Sequence, residues 1–512
     1  MQLLPSFDRF STLAAEATLV PVWREFLFDV DTAVTAYAKL AEPPFGFLLE
    51  SVVGGEQWAR YSFLGTRPAS AWRVQGGEVS VWTPDEGWRP ATGDGSSPAP
   101  GGVVAADPLA DLDARLRAHR PAEVEGLPRF WGGAVGFFSY DIVRWIERLP
   151  DPPPDELGIP DGLFVFTDIV LAIDNLKGRA MAIAAVPVAS DLAAEELRER
   201  YDDARTRIDR LVELLATESG PPALALSPEP EDDPPFESSM AREEFESAVE
   251  RVREYILAGD AFQVVLSQRL TFPLGSTPFE LYRGLRSLNP SPYLYFLELD
   301  GVSLIGSSPE VLVRVEDGTV TVRPIAGTRR RGATPEEERA LAEDLLADRK
   351  ELAEHRMLVD LGRNDVGRVA EYGTVVVPDL MVVEKYSHVM HIVSQVEGRL
   401  RDGLGAVDVF RACFPAGTVS GAPKVRAMEI IDELETTRRG PYAGAVGHFN
   451  YGGASMDTAI TIRTVVAADG KAHVQAGAGI VLDSDPSAEY EETLNKARAL
   501  LKAAAMVSGS GE

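Results

Sequence analysis

A single cysteine, Cys413, in 512 residues excludes an intrachain disulfide and any cysteine-based zinc site. A reducing compartment fits that scarcity. Long apolar runs are missing too: the stretch LFVFTDIVLAI at 163–173 is broken by an Asp, well short of the roughly 20 residues a membrane helix needs. The opening residues, MQLLPSFDRFSTLAAEA, lack a basic segment followed by an apolar one, so no secretory signal is read and a cytoplasmic location is expected. Basic residues are in deficit, 50 Lys and Arg against 79 Asp and Glu, and a net charge of −29 argues against a nucleic-acid partner. What is present is ordinary for a soluble globular chain: 45% apolar residues, and enough length for several domains or one large composite one.

Residues 217–240 combine Pro, Ser and acidic side chains without periodicity, the composition of an exposed linker or long loop. They divide the chain into an N-terminal domain at 1–216 and a second domain at 241–505, with 506–512 as a flexible tail. The first part alternates strand-like runs (FGFLLESV, GGAVGFFSY, LFVFTDIVLAI) with an amphipathic helix near Leu192 to Leu215. The second predicts a helix from Arg242 to Ala258, the strand FQVVLSQRLTF and a helix begun by Thr277-Pro278. A meander of YLYFLEL, VSLIGSS, VLVRVE and VTVRPI follows, with Asp317-Gly318 as a hairpin turn. A capping box at Thr334-Pro335-Glu336-Glu337 starts a helix expected to run on through Glu351 and Glu354. One internal echo, GAVGFFSY at 133–140 and GAVGHFNY at 444–451, predicts two Gly-rich strands with close backbone packing.

Two Glu-x-x-Glu pairs, Glu351/Glu354 and Glu489/Glu492, lie in helical stretches. A spacing of three puts both carboxylates of a pair on one helical face, where they repel unless a cation is shared. Mg²⁺ suits two such faces, because it takes oxygen ligands and is held by one or two carboxylates plus an anionic substrate.

Several other segments suit an anionic, oxygen-rich small molecule. Pro324-Ile325-Ala326-Gly327-Thr328 is read as a strand ending in a Gly-Thr turn that offers a backbone N–H and a hydroxyl. Gly417-Thr418-Val419-Ser420-Gly421-Ala422-Pro423-Lys424 is a small-residue loop ending in a cation. Gly477-Ala478-Gly479, after the strand HVQA, is read as a nest of N–H donors. Arg463, expected on the strand AITIRTV, and Lys496, one helical turn past Glu492, supply positive charge. His391 lies in the apolar run YSHVMHIVSQV, with His388 as its neighbour and competitor. Cys413 has no nucleophile elbow around it and is read as a buried small residue.

In this order, PIAGT, ELAEHRMLVDLGRND, YSHVMHIVS, GTVSGAPK, YAGAVG, VQAGAG and ETLNKA resemble the chorismate-utilising enzymes over residues 240 to 505. In the first half LVPVWREFLFD, FLLESV and RYSFLG resemble the anthranilate synthase large-subunit branch. The resemblance implies an α/β fold of the α+β type, in two parts, with large antiparallel sheets flanked by helices. It also implies Mg²⁺-dependent chemistry on chorismate. Glu354 and Glu492 then correspond to the metal ligands, with Glu351 and Glu489 behind them holding water on the metal. Gly327, Thr328, Tyr442, Arg463, Gly477, Ala478, Gly479 and Lys496 correspond to the substrate cradle, Thr418 to a residue beside the leaving hydroxyl, and His391 to the acid/base histidine.

The product is decided elsewhere. A Lys in place of Ala326 marks the aminodeoxychorismate synthases of this family, and a Lys base in place of Gln263 marks the water-adding isochorismate and salicylate synthases. An amide does not deprotonate water at neutral pH, so Gln263 favours ammonia, which is already a nucleophile. The expected reaction is ammonia addition to chorismate, giving 2-amino-2-deoxyisochorismate, then loss of pyruvate to give anthranilate. The resemblance further implies a tryptophan site for feedback inhibition from Leu49, Glu50 and Ser51 with Asn289, Pro290, Pro292, Tyr293 and Leu294. His448 and Leu294 depart from the family pattern, the second at a position able to alter inhibitor affinity. No glutaminase signature follows residue 505, so free ammonia is the expected substrate of this chain alone. Glutamine use is expected to need a separate amidotransferase subunit, in a heterotetramer of two large and two small subunits.

Overall fold

Two large antiparallel sheets are woven from strands of both halves of the chain in the computed structural model, which describes residues 2–51, 60–91, 107–228, 230, 234–386 and 389–508. The first, of 13 strands, runs from Leu3–Leu4 through Leu19–Leu27, Arg179–Pro187, Ile169–Asp174, Tyr61–Thr66 and Phe45–Glu50. It continues into Tyr293–Leu299, Val302–Ser308, Thr464–Ala468, Lys471–Ile480 and Gln263–Pro273. The second, of 12 strands, has Ile325–Arg330, Val389–Arg399, Thr319–Val322, Val311–Glu316, Met456–Ile460 and Ala445–Asn450 on one side. Gly133–Phe138, Gly162–Phe166 and Ser70–Gln75 extend it on the other.

The sheets pack face to face, and alternation along the strands fixes which side chains meet. On Gly133–Phe138, Val135 and Phe137 point into an inter-sheet core with Phe45, Phe47, Tyr295 and Leu297 of the first sheet. Ala134 and Phe138 point the opposite way, into a layer with helices Pro108–Arg117, Arg349–Gly367 and Ala406–Cys413. The outer face of the first sheet is covered by helices Ala194–Thr217, Pro278–Leu288 and Pro486–Ser508. Burial of each large apolar side chain in these layers contributes roughly 1.5–3 kcal/mol before entropy is counted, so the layers outweigh any single polar contact. Among the described residues no helix is long and apolar enough to cross a membrane.

The internal echo has a structural meaning. Its two copies are neighbours in one sheet: Gly133–Phe138 pairs with Ala445–Asn450, with Gly136 opposite Gly447. A Cβ on Gly136 would lie 2.0 Å from the Leu163 carbonyl oxygen and one on Gly447 2.1 Å from that of Asp457, so both positions exclude a side chain.

Four local expectations are corrected. The meander is split, because Tyr293–Leu299 and Val302–Ser308 belong to the first sheet while Val311–Glu316 and Thr319–Val322 belong to the second. The chain crosses between sheets at Ser308 to Glu310. The helix begun at Pro335 stops at Ala347, and Asp348 caps a new one, Arg349–Gly367, by accepting from the backbone N–H of Lys350 and Glu351. Thr334 caps the first helix as read, but the Glu337 carboxylate reaches the N–H of Ala333 and not that of Thr334, so the box is incomplete. Gly477-Ala478-Gly479 is no nest: it continues the strand Lys471–Ile480, in register with Ser267, Leu266 and Val265.

Candidate active site

Strand pairing sets the floor of the site. Gln263 and Gly479 lie close on neighbouring strands, and a Cβ on Gly479 would come within 2.5 Å of the Gln263 side-chain nitrogen. A Cβ on Gly477 would sit 2.7 Å from the Tyr442 hydroxyl. These two glycines are therefore the relief into which Gln263 and Tyr442 fit. Ala478, on the opposite face of the strand, is fully buried in a separate apolar cluster with Phe245 and Ile430, so it does not join the site.

One wall is the strand Ile325–Arg330, which does not end in a turn at Gly327 but bulges there and continues. Gly327 takes φ +67°, and a Cβ on it would meet Glu351 Oε2 at 3.1 Å. The neighbouring strand Val389–Arg399 carries His391, whose Nδ1 donates to the Gly327 carbonyl at 2.8 Å and lies 3.1 Å from the Thr328 hydroxyl. A carbonyl only accepts, so Nδ1 holds the proton and Nε2 is left with its lone pair. Burial lowers the His391 pKa, Arg463 adding to that and Gly327 opposing it, which keeps the ring neutral. His388 lies outside the described residues.

Helices Arg349–Gly367 and Pro486–Ser508 bring all four predicted glutamates to the same cavity of about 500 Å³. Burial and then the charge of Glu354 raise the Glu351 pKa; burial raises that of Glu489, with Glu492 adding to it. Mutual repulsion of this kind favours a shared cation. Glu354 accepts from the Gln263 amide at 3.1 Å, and Glu492 pairs with Lys496 at 2.7 Å. Lys496 also donates to the Gly477 carbonyl at 2.9 Å. Among the described residues no three His, Cys, Asp or Glu side chains form a closed metal cluster. The donor set still fits Mg²⁺, which needs only one or two carboxylates when a substrate and water complete its shell.

Arg463 sits between strands Met456–Ile460 and Thr464–Ala468, at φ +51°, and not within a strand as expected. The bend turns its side chain into the cavity, where burial lowers the guanidinium pKa and Tyr442 is the group opposing that shift. A guanidinium presents paired N–H donors whose geometry suits bidentate binding of a carboxylate. Tyr442 is backed by a buried pair, Arg439 with Glu435 at 2.6 Å, in which Arg439 also donates to the carbonyls of Val419 and Val265.

Thr418 lines the cavity next to Glu310, a residue the motifs did not single out. Burial pushes the Glu310 carboxyl up to about 8, with Thr418 and the backbone of Ile325 pulling the other way. Glu310 lies on the crossing between sheets, and a lone Glu before the run VLVRV carries no periodic signal; only its place between two apolar strands marks it. Lys424, the cation ending GTVSGAPK, turns away to pair with Asp365 at 2.9 Å and does not line the cavity. Cys413 is buried, as read.

The elements expected to hold an inhibitor are adjacent strands: Leu294 lies opposite Glu50 and Tyr295 opposite Leu49. Glu50 is taken up by Tyr282 at 2.5 Å and Arg286 at 2.8 Å, both on helix Pro278–Leu288, and Leu294 is buried on the same side. Alternation puts Leu49 and Ser51 on the other face, where the buried Ser51 hydroxyl has no hydrogen-bond partner. Asn289 caps that helix and its carbonyl accepts from Ser307, Pro290 and Pro292 bracket Ser291, and Tyr293 donates to Asp457 at 2.8 Å. Residues 52–59, which follow Ser51, lie outside the described residues.

Comparison with known proteins agrees with this architecture. The chorismate binding enzyme family matches residues 72–502. Anthranilate synthase component 1 of Pseudomonas putida is 50% identical over 503 residues, covering 98% of each chain. The crystal structure of anthranilate synthase component I from Streptococcus pneumoniae superposes with a TM-score of 0.74 at 39% identity, over 93% of this chain and 99% of that one. The menaquinone-specific isochorismate synthase of Escherichia coli, at 17% identity and a TM-score of 0.68 over 98% of this chain and 99% of its own, shares the fold. The chain belongs to the chorismate binding enzyme family, in its anthranilate synthase component I branch.

Proposed function

We propose that this chain is a lyase that converts chorismate and ammonia to anthranilate and pyruvate through 2-amino-2-deoxyisochorismate. The observation that carries the proposal is one cavity combining four glutamates, His391, Arg463 and Glu310 with uncharged Ala326 and Gln263. Arg463 and Tyr442 would receive a substrate carboxylate, with Gly327, Thr328 and the Gly477–Gly479 strand shaping the bed for the ring. Mg²⁺ held by Glu354 and Glu492, with Glu351 and Glu489 behind them, would neutralise the second carboxylate and polarise the ring. Glu310, neutral at working pH, donates its proton to the departing 4-hydroxyl beside Thr418 while ammonia adds at C2. In the second step C2 loses its proton, the C3–O bond breaks and the ring becomes aromatic. The free Nε2 of His391 is suited to accept that proton.

Ala326 and Gln263 disfavour the alternatives, aminodeoxychorismate synthase and the water-adding isochorismate or salicylate synthases, which place a Lys at one or other position. Relatives named "component 1" support a partner, read here as a glutamine amidotransferase subunit supplying ammonia in a heterotetramer with two copies of each chain. Feedback inhibition by L-tryptophan at the Ser51 and Asn289–Leu294 elements belongs to the same proposal. Incubation of the pure chain with chorismate, Mg²⁺ and ammonium should produce anthranilate fluorescence and pyruvate. Absence of both products would overturn the assignment.

A further inference from the structure

A second, smaller cavity of about 40 Å³ lies behind the active site and shares Glu310, Thr418 and Leu358 with it. It is polar where it needs no polarity for packing. Asp365 is 95% buried, with one carboxylate oxygen bound by Lys424 at 2.9 Å and the other, Oδ1, without any hydrogen-bond partner. Apart from its approach to Glu310, the Thr418 hydroxyl also lacks a partner. Lys424 is fixed in turn by the Cys413 carbonyl at 3.1 Å, so the Asp365 carboxylate cannot swing away. A buried acceptor left open costs about 1–3 kcal/mol, and a polar cavity above roughly 15 Å³ has the room and the partners that an ordered water needs.

Resting on the role of Glu310 given above, we propose that this pocket holds water that relays a proton to Glu310, and that Asp365, locked by Lys424, is the residue that positions it. The chemistry requires such a path. Glu310 gives its proton to the 4-oxygen, the C–O bond breaks with its electron pair on oxygen, and water leaves; Glu310 remains a carboxylate. The proton it needs is released from the nitrogen that adds at C2, at another carbon of the ring. A pocket water gives one proton to Glu310 and takes one from the water behind it, towards the partly buried rim at Leu361 and Ala416. No co-reactant is consumed. This assigns a task to the GRND aspartate and the GAPK lysine, which no part of the substrate site uses.

The test is Asp365→Asn in the full chain, assayed with chorismate, ammonium and Mg²⁺. The expected result is a kcat lower by about tenfold, a chorismate KM within about twofold and an increased solvent deuterium isotope effect. Turnover of supplied 2-amino-2-deoxyisochorismate to anthranilate should be unchanged, because that step bypasses Glu310. Ala416→Leu, which fills the pocket and leaves every charge in place, should give the same pattern should Asp365→Asn fail to fold. An unchanged isotope effect in a folded variant, or equal loss in both half-reactions, would overturn the relay. Glu310→Gln separates the two ideas: full activity there removes the acid role of Glu310 itself, whatever Asp365 does.

Discussion

The side-chain amide of Gln263 donates to Oε1 of Glu354 across 3.1 Å, joining the floor strand Gln263–Pro273 to the helix that carries the first glutamate pair. In the proposed reaction, the residue that favours ammonia over water as nucleophile thus also holds a carboxylate of the proposed cation site. Gln263→Ala removes that donor and leaves Glu354 free to rotate. A fall of about tenfold in kcat/KM, with a higher Mg²⁺ concentration for half-maximal rate, is expected from losing one hydrogen bond to a charged group. Anthranilate fluorescence over a Mg²⁺ titration measures both; an unchanged Mg²⁺ dependence would uncouple the two residues.

Glu354→Ala and Glu492→Ala should each abolish turnover, and chelation of Mg²⁺ should do the same to the unaltered chain. Crowded carboxylates that raise their neighbours' pKa are stabilised by a cation and are left repelling without it. Calorimetric Mg²⁺ binding to the variants provides a readout independent of rate. A fully active variant would refute the metal assignment.

Protonation of Glu310 should set the alkaline limit of the proposed first step. Its carboxyl is neutral below about 8 and loses the proton it must donate as pH rises through that value. Activity from chorismate should therefore fall above about pH 8, whereas conversion of supplied intermediate should not follow that limb. The stability of the fold falls in the same direction. A carboxyl whose folded pKa lies above its unfolded value near 4.5 loses stabilising effect as pH rises from there to about 8. Glu310→Gln should cut the ammonia-dependent rate by at least about 100-fold and melt no lower than the parent at pH 8. Rate profiles and thermal melts over pH check both halves.

Much of this site was legible in order along the chain, because helical spacing of Glu351/Glu354 and Glu489/Glu492 and the small-residue strands are local signals. The helix Arg242–Ala258 is delimited by its own apolar period and by Gly259 in the left-handed conformation. Other features depend on what the chain meets after folding. Arg463 reads as a strand residue because its neighbours are β-formers, yet it occupies a left-handed bend that no composition marks. Glu310 owes its raised pKa to burial between two sheets, and neither sheet is complete until strands from both ends of the chain join it. The break at Asp348 was written in the sequence as a capping residue, but the helix-forming residues on both sides masked it.

Tryptophan control should pass through Ser51. Its buried, unpartnered hydroxyl directly follows the strand Phe45–Glu50, which pairs with Tyr293–Leu299, while Glu50 beside it is locked to helix Pro278–Leu288 through Tyr282 and Arg286. Ser51→Phe replaces this buried hydroxyl with a bulky ring. Inhibition by L-tryptophan should be lost with uninhibited activity within about twofold of the parent. Rates measured over a tryptophan titration decide it, and an unaltered inhibition curve would remove Ser51 from the site.

Gly327→Ala tests the bulge that joins the two halves of the site. At φ +67° a side chain is strained by about 1–2 kcal/mol, and the added Cβ would also stand 2.9 Å from Leu345 and 3.1 Å from Glu351 Oε2. The Leu345 methyl can shift, but Glu351 is the carboxylate proposed to stand behind Glu354, so moving it should disturb the proposed cation site. The Gly327 carbonyl meanwhile receives the Nδ1 proton of His391, so a change in the bulge also frees the ring tautomer. Loss should therefore appear in both half-reactions, by about 100-fold in kcat, while Gly259→Ala, whose left-handed φ of +86° meets nothing nearby, should cost stability and leave the rate alone. Parallel melts and rates of the two variants separate backbone strain from displacement of Glu351 and His391; equal rate losses in both would show that strain alone is responsible.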